Sequence, residues 1–189
     1  MALLNLFCKK ERTPQKTEAE LKLHRCAFTG HRPERLYGYE AVVIAGLRKE
    51  ILEAIENGYT TFITGCSRGV DLWAADIVLE LRRTNKSLRL ICAVPFEGFE
   101  SKWPIDWIKH YKMVRKQADW VKVVSRSYSA DVYQKRNEWM VRHSSRLIAV
   151  FDGLPSGTKN TVDYAKAQSV GVKEVNVCNS LNITENVLK

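Results

Sequence analysis

From Arg25 onward, short apolar runs alternate with longer stretches whose apolar residues recur every three or four positions, the pattern of strands joined by helices. Strands are expected near Arg25 to Thr29, Thr61 to Thr64, Arg89 to Val94, Trp120 to Val124, Arg146 to Phe151 and Glu174 to Val177. Between the first two, Val43, Leu47, Ile51 and Ile55 repeat at four-residue spacing and stop at Asn57-Gly58; Val70, Trp73, Ala74, Ile77, Val78 and Leu81 form the next helical stripe. Strictly alternating elements predict an α/β fold: a Rossmann-like, doubly wound, mostly parallel sheet of about six strands with helices on both faces. No long Gly/Ser linker or internal repeat divides it, so residues 23–189 are expected to be one domain behind a loosely ordered tail, residues 1–22.

Composition narrows the classes. In 189 residues, 45% hydrophobic and 27% charged, the balance is that of a single soluble domain with a sizeable core. No apolar run approaches the roughly 18 residues of a membrane span. The apolar start, Met1 to Cys8, is short, broken by Asn5 and lacks a basic leader, so it does not read as a signal peptide. Five widely spaced cysteines (Cys8, Cys26, Cys66, Cys92, Cys178) show no CxxC, which suggests neither a disulfide framework nor a zinc site and fits a reducing cytoplasm. Thirty Lys and Arg against 21 Asp and Glu give +9, a bias toward anionic partners.

In open parallel sheets ligands bind beyond the carboxyl ends of strands, where helix N-termini aim N–H groups at anions. Three small-residue turns fall there: Thr29-Gly30-His31-Arg32-Pro33, Thr64-Gly65-Cys66-Ser67-Arg68-Gly69-Val70-Asp71, and Asp152 to Thr158. Gly65 and Gly69 permit close backbone approach, Ser67 offers a hydroxyl and Arg68 a cationic fork; Ser156, Gly157 and Thr158 open a helix that continues to Asn160. Neither G-x-x-x-x-G-K-[ST] nor a properly placed G-x-G-x-x-G occurs, which argues against an ordinary ATPase or dehydrogenase. Gly65-Cys66-Ser67-Arg68-Gly69 matches a nucleophile elbow, yet the last histidine, His143, precedes the fifth strand, the wrong order for a serine hydrolase. His31 with Glu34 is too few ligands for a metal. Val132, Arg136 and Met140 share a helical face, so Arg136 places a guanidinium on an apolar stripe and needs an anion, either a structural carboxylate or a ligand group. Asp71 complements its helix dipole or accepts a sugar hydroxyl. Trp73, Trp120 and Trp139 are expected to be core or partly buried packing.

With these motifs in view, the chain resembles the YpsA-like branch of the SLOG superfamily, Rossmann-like domains related to the LOG phosphoribohydrolases and the DprA DNA-processing proteins. The match runs from about Cys26 to Val177. It is carried by the Thr29 to Pro33 turn, Thr64-Gly65 with Gly69-Val70-Asp71, Pro95-Phe96 with Trp103, Arg136-Asn137 with Met140-Val141, and Ser156-Gly157-Thr158 with Asn160-Thr161-Val162 and Tyr164-Ala165. The resemblance implies a pocket for a nucleotide-derived ligand at the strand ends, with Arg136, Gly157 and Thr158 matching the LOG arginine and G-T turn. Asn160 and Thr161 stand where LOG enzymes carry two glutamates, so the phosphate site transfers and the hydrolytic acid does not. The expected function is nucleotide binding or sensing without a cofactor; alternatives are hydrolysis of an N-glycosidic or phosphoester bond and, less directly, nucleic-acid binding through the basic surface. The resemblance also makes a homo-oligomer plausible.

Overall fold

The computed structural model describes residues 16–176. Six strands form one all-parallel sheet in the order β4-β3-β2-β1-β5-β6: β1 (Arg25–Gly30), β2 (Thr61–Thr64), β3 (Arg89–Val94), β4 (Trp120–Val123), β5 (Arg146–Phe151) and β6 (Gly171–Asn176). Before the sheet lies α1 (Glu18–Leu23), and the crossovers are α2 (Glu40–Glu56), α3 (Val70–Leu81), α4 (Ile105–Gln117), α5 (Val132–Arg142) and α6 (Gly157–Ala167).

The inner strands β1, β2, β3 and β5 are apolar between their ends because both faces are covered. Cys26 and Phe28 of β1, Phe62 of β2, Leu90, Cys92 and Val94 of β3 and Ile148 and Val150 of β5 pack in one core with α2, α3 and α4. The intervening Ala27, Ile63, Ile91, Ala93, Leu147 and Ala149 face the other core, under α5 and α6. Winding runs outward from β1 to β4, then the chain returns over the opposite face to set β5 on the far side of β1, in register from Cys26↔Arg146 to Gly30↔Val150. The strand order therefore reverses between β1 and β5, where such sheets open a crevice at their carboxyl ends.

Three local departures from the sequence reading have physical causes. The end of the supposed tail is helical: the Thr17 hydroxyl accepts the Glu20 N–H at 3.3 Å while the Glu20 carboxylate accepts the Thr17 N–H at 2.7 Å, a capping box that starts α1. β6 begins at Gly171, three residues early, because the Gly171 N–H already donates to the Ser145 carbonyl at 3.2 Å. Trp120 is 51% exposed, since β4 is a four-residue edge strand, whereas Trp73 and Trp139 are half-buried as expected. Met1 to Cys8, Val177 and Cys178 lie outside the described residues; Cys26, Cys66 and Cys92 are buried free thiols. No helix among the described residues is long and apolar enough to cross a membrane.

Candidate functional site

The crevice at the switch point is a cleft of about 440 Å³. Its floor is the turn after β2. There the Thr64 hydroxyl donates to the Asp71 carbonyl at 2.7 Å and accepts the Cys66 N–H at 3.1 Å, and the Asp71 carboxylate accepts the Ser67 N–H at 3.1 Å. The turn is thus tied to the first turn of α3 at both ends. Gly69 caps that helix at φ 88°, a backbone setting that side chains rarely adopt.

Arg136 reaches this floor from α5. It is 4% exposed and donates through Nε to Asn137 Oδ1 at 2.8 Å, through one terminal nitrogen to the Gly65 carbonyl and through the other to the Ser67 hydroxyl at 3.2 Å. Its nearest carboxylate is Asp71, 6% exposed and 3.9 Å away. Burial pushes the Asp71 carboxyl above its ordinary range against the pull of Arg136, and burial likewise lowers Arg136 against the support of Asp71. A guanidinium carries five N–H donors, so these three hydrogen bonds leave two without a hydrogen-bond partner among the described residues.

The facing wall is the start of α6. Ser156 is its N-cap, accepting the Lys159 N–H at 3.1 Å and donating to the Leu154 carbonyl at 3.2 Å. Behind it the Thr161 hydroxyl donates to the Gly157 carbonyl and accepts from Asn137 Nδ2, both at 2.8 Å. Thr161 is therefore a brace between α5 and α6. Thr158, 6% exposed, and Thr29, 7% exposed, line the cleft, and neither hydroxyl has a partner among the described residues. A Cβ on Gly157 would meet nothing within 4 Å, so the first N–H groups of α6 are sterically open to the cleft.

The last wall is the turn after β1. His31, 4% exposed, sits with Nε2 3.0 Å from Asp152 Oδ1 and 3.3 Å from the Asp152 N–H, and Arg35 holds the other Asp152 oxygen at 2.9 Å. Burial lowers the His31 pKa despite Asp152. Burial also opposes the Asp152 charge, but the Leu154 N–H, His31 and Arg35 hold that carboxyl below its ordinary value. A histidine lowered in the folded state binds its proton less readily than in the unfolded chain, so stability should fall as pH drops below about 6.5. Asp152 titrates too low to contribute there. His31→Asn should flatten the urea-midpoint profile between about pH 6.5 and 5; an unchanged slope would assign the acid sensitivity to other groups.

Eleven residues singled out in the sequence line the cleft: Thr29, Gly30, His31, Arg32, Ser67, Asp71, Arg136, Asn137, Ser156, Gly157 and Thr158. Four do not. Gly65 lies under the Arg136 guanidinium, Gly69 packs against His31 and Pro33, Arg68 turns to Glu34 at 2.6 Å and to the Trp103 ring, and Asn160 is exposed on α6. Phe28, Glu34, Arg35 and Tyr133 also line it; none is among the ligand residues expected from the sequence, where Glu34 enters only as a metal candidate, and the second arginine of the His31-to-Arg35 stretch is the available signal. The elbow reading of Ser67 fails on geometry: His143 caps the C-terminus of α5, at the opposite end of the sheet, with Nδ1 2.7 Å from the Trp139 carbonyl. Among the described residues no group of three or more His, Cys, Asp or Glu is placed to hold a metal ion.

Fold and site together define a Rossmann-like domain with a donor-lined crevice at its switch point. The YpsA family model, described as the YspA SLOG family, matches residues 26–185, and the chain belongs to that family. It is 34% identical over 128 residues to the SPbeta prophage-derived protein YoqJ of Bacillus subtilis (strain 168), covering 61% of this chain and 74% of that one. It is 31% identical over 150 residues to a UPF0398 protein of Bacillus cereus (strain B4264), covering 74% and 81%. Among solved structures, DNA processing protein A (DprA) from Streptococcus pneumoniae superposes with a TM-score of 0.58 at 15% identity, over 82% of this chain and 50% of that chain, a likeness of fold.

Proposed function

We propose that this protein binds a phosphorylated, nucleotide-derived ligand in the crevice between β1 and β5. The observation that carries the reading is Thr158: a residue 6% exposed whose hydroxyl has no partner among the described residues, at the open N-terminus of an eleven-residue helix and in the same cleft as Arg136. N–H groups, a hydroxyl and a guanidinium converging on one cleft are the donors a phosphate needs. In this reading Asp71, at the floor, receives a ribose hydroxyl. Three buried free thiols among the described residues suit a reducing cytoplasm.

A thermal-shift screen of nucleoside mono-, di- and triphosphates and cyclic nucleotides tests this. A ligand at about a hundred times its Kd adds about 2.7 kcal/mol, a rise of roughly 5–10 °C for a chain of this size. Thr158→Val should cut the shift sharply, and Arg32→Ala, at the cleft mouth, should cut it less. If no nucleotide stabilises the wild type, or if Thr158→Val responds as the wild type does, the reading fails. A second reading, hydrolysis, is favoured by one observation: a buried carboxyl with a raised pKa, Asp71, faces the same cleft. Recovery of free base or inorganic phosphate from a hit, absent in Asp71→Asn, would establish it.

A further inference from the structure

The crevice has an aromatic side that its phosphate donors leave unused. Two benzenoid rings line it, Phe28 and Tyr133. Phe28 is 0% exposed and stacks on Phe62 within the core, so it offers a ligand no face. Tyr133 is half-buried, and its ring is braced nearly perpendicular to Phe96, at 6.3 Å between centroids and 69°. Phe96 is itself fixed, meeting Phe99 at 6.3 Å and Tyr128 at 5.8 Å. Tyr133 is therefore a rigidly held ring that is still open to the crevice.

Its place on α5 sets what it can touch. Tyr133, Arg136 and Asn137 stand at i, i+3 and i+4, one face of the helix, and all three line the crevice. The Tyr133 Cα lies about 4.5 Å along the axis from that of Arg136, toward the helix N-terminus and so toward the mouth. The phosphate donors stand on the other side. Thr158 opens the helix that follows β5, whereas Phe96, the brace of Tyr133, follows β3. The sheet order from one to the other is β5-β1-β2-β3, three strand spacings or roughly 14 Å. A phosphate seated at Thr158 leaves Tyr133 uncovered, and only a ligand that carries a flat apolar group beyond its sugar reaches both. A ring face recognises such a group by stacking.

We propose that Tyr133 is the platform on which the ligand's base stacks, which makes the ligand a purine nucleotide rather than a sugar phosphate or a polyphosphate. The proposal rests on the phosphate reading of the crevice. Stacking responds to ring area rather than to hydrogen-bond pattern, so the two fused rings of a purine gain more than the single ring of a pyrimidine. Isothermal titration calorimetry with AMP, GMP, CMP and ribose 5-phosphate tests it. The wild type should bind a purine monophosphate on the order of tenfold more tightly than ribose 5-phosphate, with CMP between them. Tyr133→Leu should remove most of that advantage and leave the affinity for ribose 5-phosphate unchanged, while Tyr133→Phe, which keeps the ring, should bind as the wild type does. Tyr128 also touches Phe96 but is 66% exposed and does not line the crevice, so Tyr128→Ala should change none of the affinities. Unchanged thermal midpoints without ligand establish that the variants are folded; if Tyr133→Leu does not fold, the ranking of the four ligands on the wild type decides the matter. The base platform is overturned, and the phosphate site stands, if ribose 5-phosphate binds as tightly as AMP and GMP, or if Tyr133→Leu weakens all four ligands alike. If none of the four binds, both readings fall.

Discussion

Arg136→Ala should destabilise the protein by about 3–5 kcal/mol at neutral pH, the range for breaking a buried ion pair by removing one partner. The change strips the cation from Asp71, which is 6% exposed, and leaves the Gly65 carbonyl and the Asn137 side chain without their donor. The deficit should depend on pH in a definite sense. Burial already raises the Asp71 carboxyl in the presence of Arg136, and without that cation it must rise further. A carboxyl raised in the folded state holds its proton more tightly than in the unfolded chain, so its cost is absent below about pH 4 and grows as pH rises through the folded value. Urea titrations at pH 5, 6, 7 and 8 should show the gap from the wild type widening with pH. Combining Arg136→Met with Asp71→Asn should cost less than the two single changes added together. A gap under about 1 kcal/mol, or one that narrows as pH rises, would mean that Arg136 is held by its hydrogen bonds and the Asp71 charge is immaterial.

Gly69→Ala is the second severe change, through two independent routes. At φ 88° and ψ −125° an added side chain is strained wherever it points, on the order of 1–3 kcal/mol. The new Cβ would also lie 2.9 Å from both the His31 carbonyl oxygen and Pro33 Cδ, so the turns after β1 and β2 would have to separate. Overpacking of this kind costs a further 1–3 kcal/mol or so. The sum should appear as a drop of about 2–6 kcal/mol in unfolding free energy, with nucleotide-induced stabilisation abolished in the fraction that remains folded. If Gly69→Ala stays within about 1 kcal/mol of the wild type, the two turns are not in rigid contact.

The layered fold was legible because parallel strands buried on both faces must be apolar between their ends, and β1, β2, β3 and β5 are. Most of the crevice was legible for a related reason: small residues directly after strands have few uses in such a sheet, and Arg136 interrupts an apolar helical stripe. What failed depends on neighbours. Asn160 is expected at the ligand because the resemblance sets it at a glutamate position and its amide can hydrogen-bond a sugar, but two residues advance a helix by about 200° from Thr158, and the buried face runs through Thr158, Thr161, Val162 and Ala165. Arg68 has the right chemistry in the right turn, yet Glu34 takes its charge. Trp120 resembled the other tryptophans in sequence, because nothing local distinguishes an edge strand from a central one. The identity of the nearest strand, not the residue type, decided its exposure.

The reversal of winding at β1 gives the crevice a mechanical character. Its floor and one wall belong to the half of the chain that winds outward to β4, while Arg136 and the start of α6 belong to the half that returns, and the two halves meet along the β1–β5 pairing. A ligand seated there acts as a clasp across that seam. Binding would then add to the stability of the β1–β5 pairing, and a change along that seam that weakens the pairing should weaken the ligand by the same linkage.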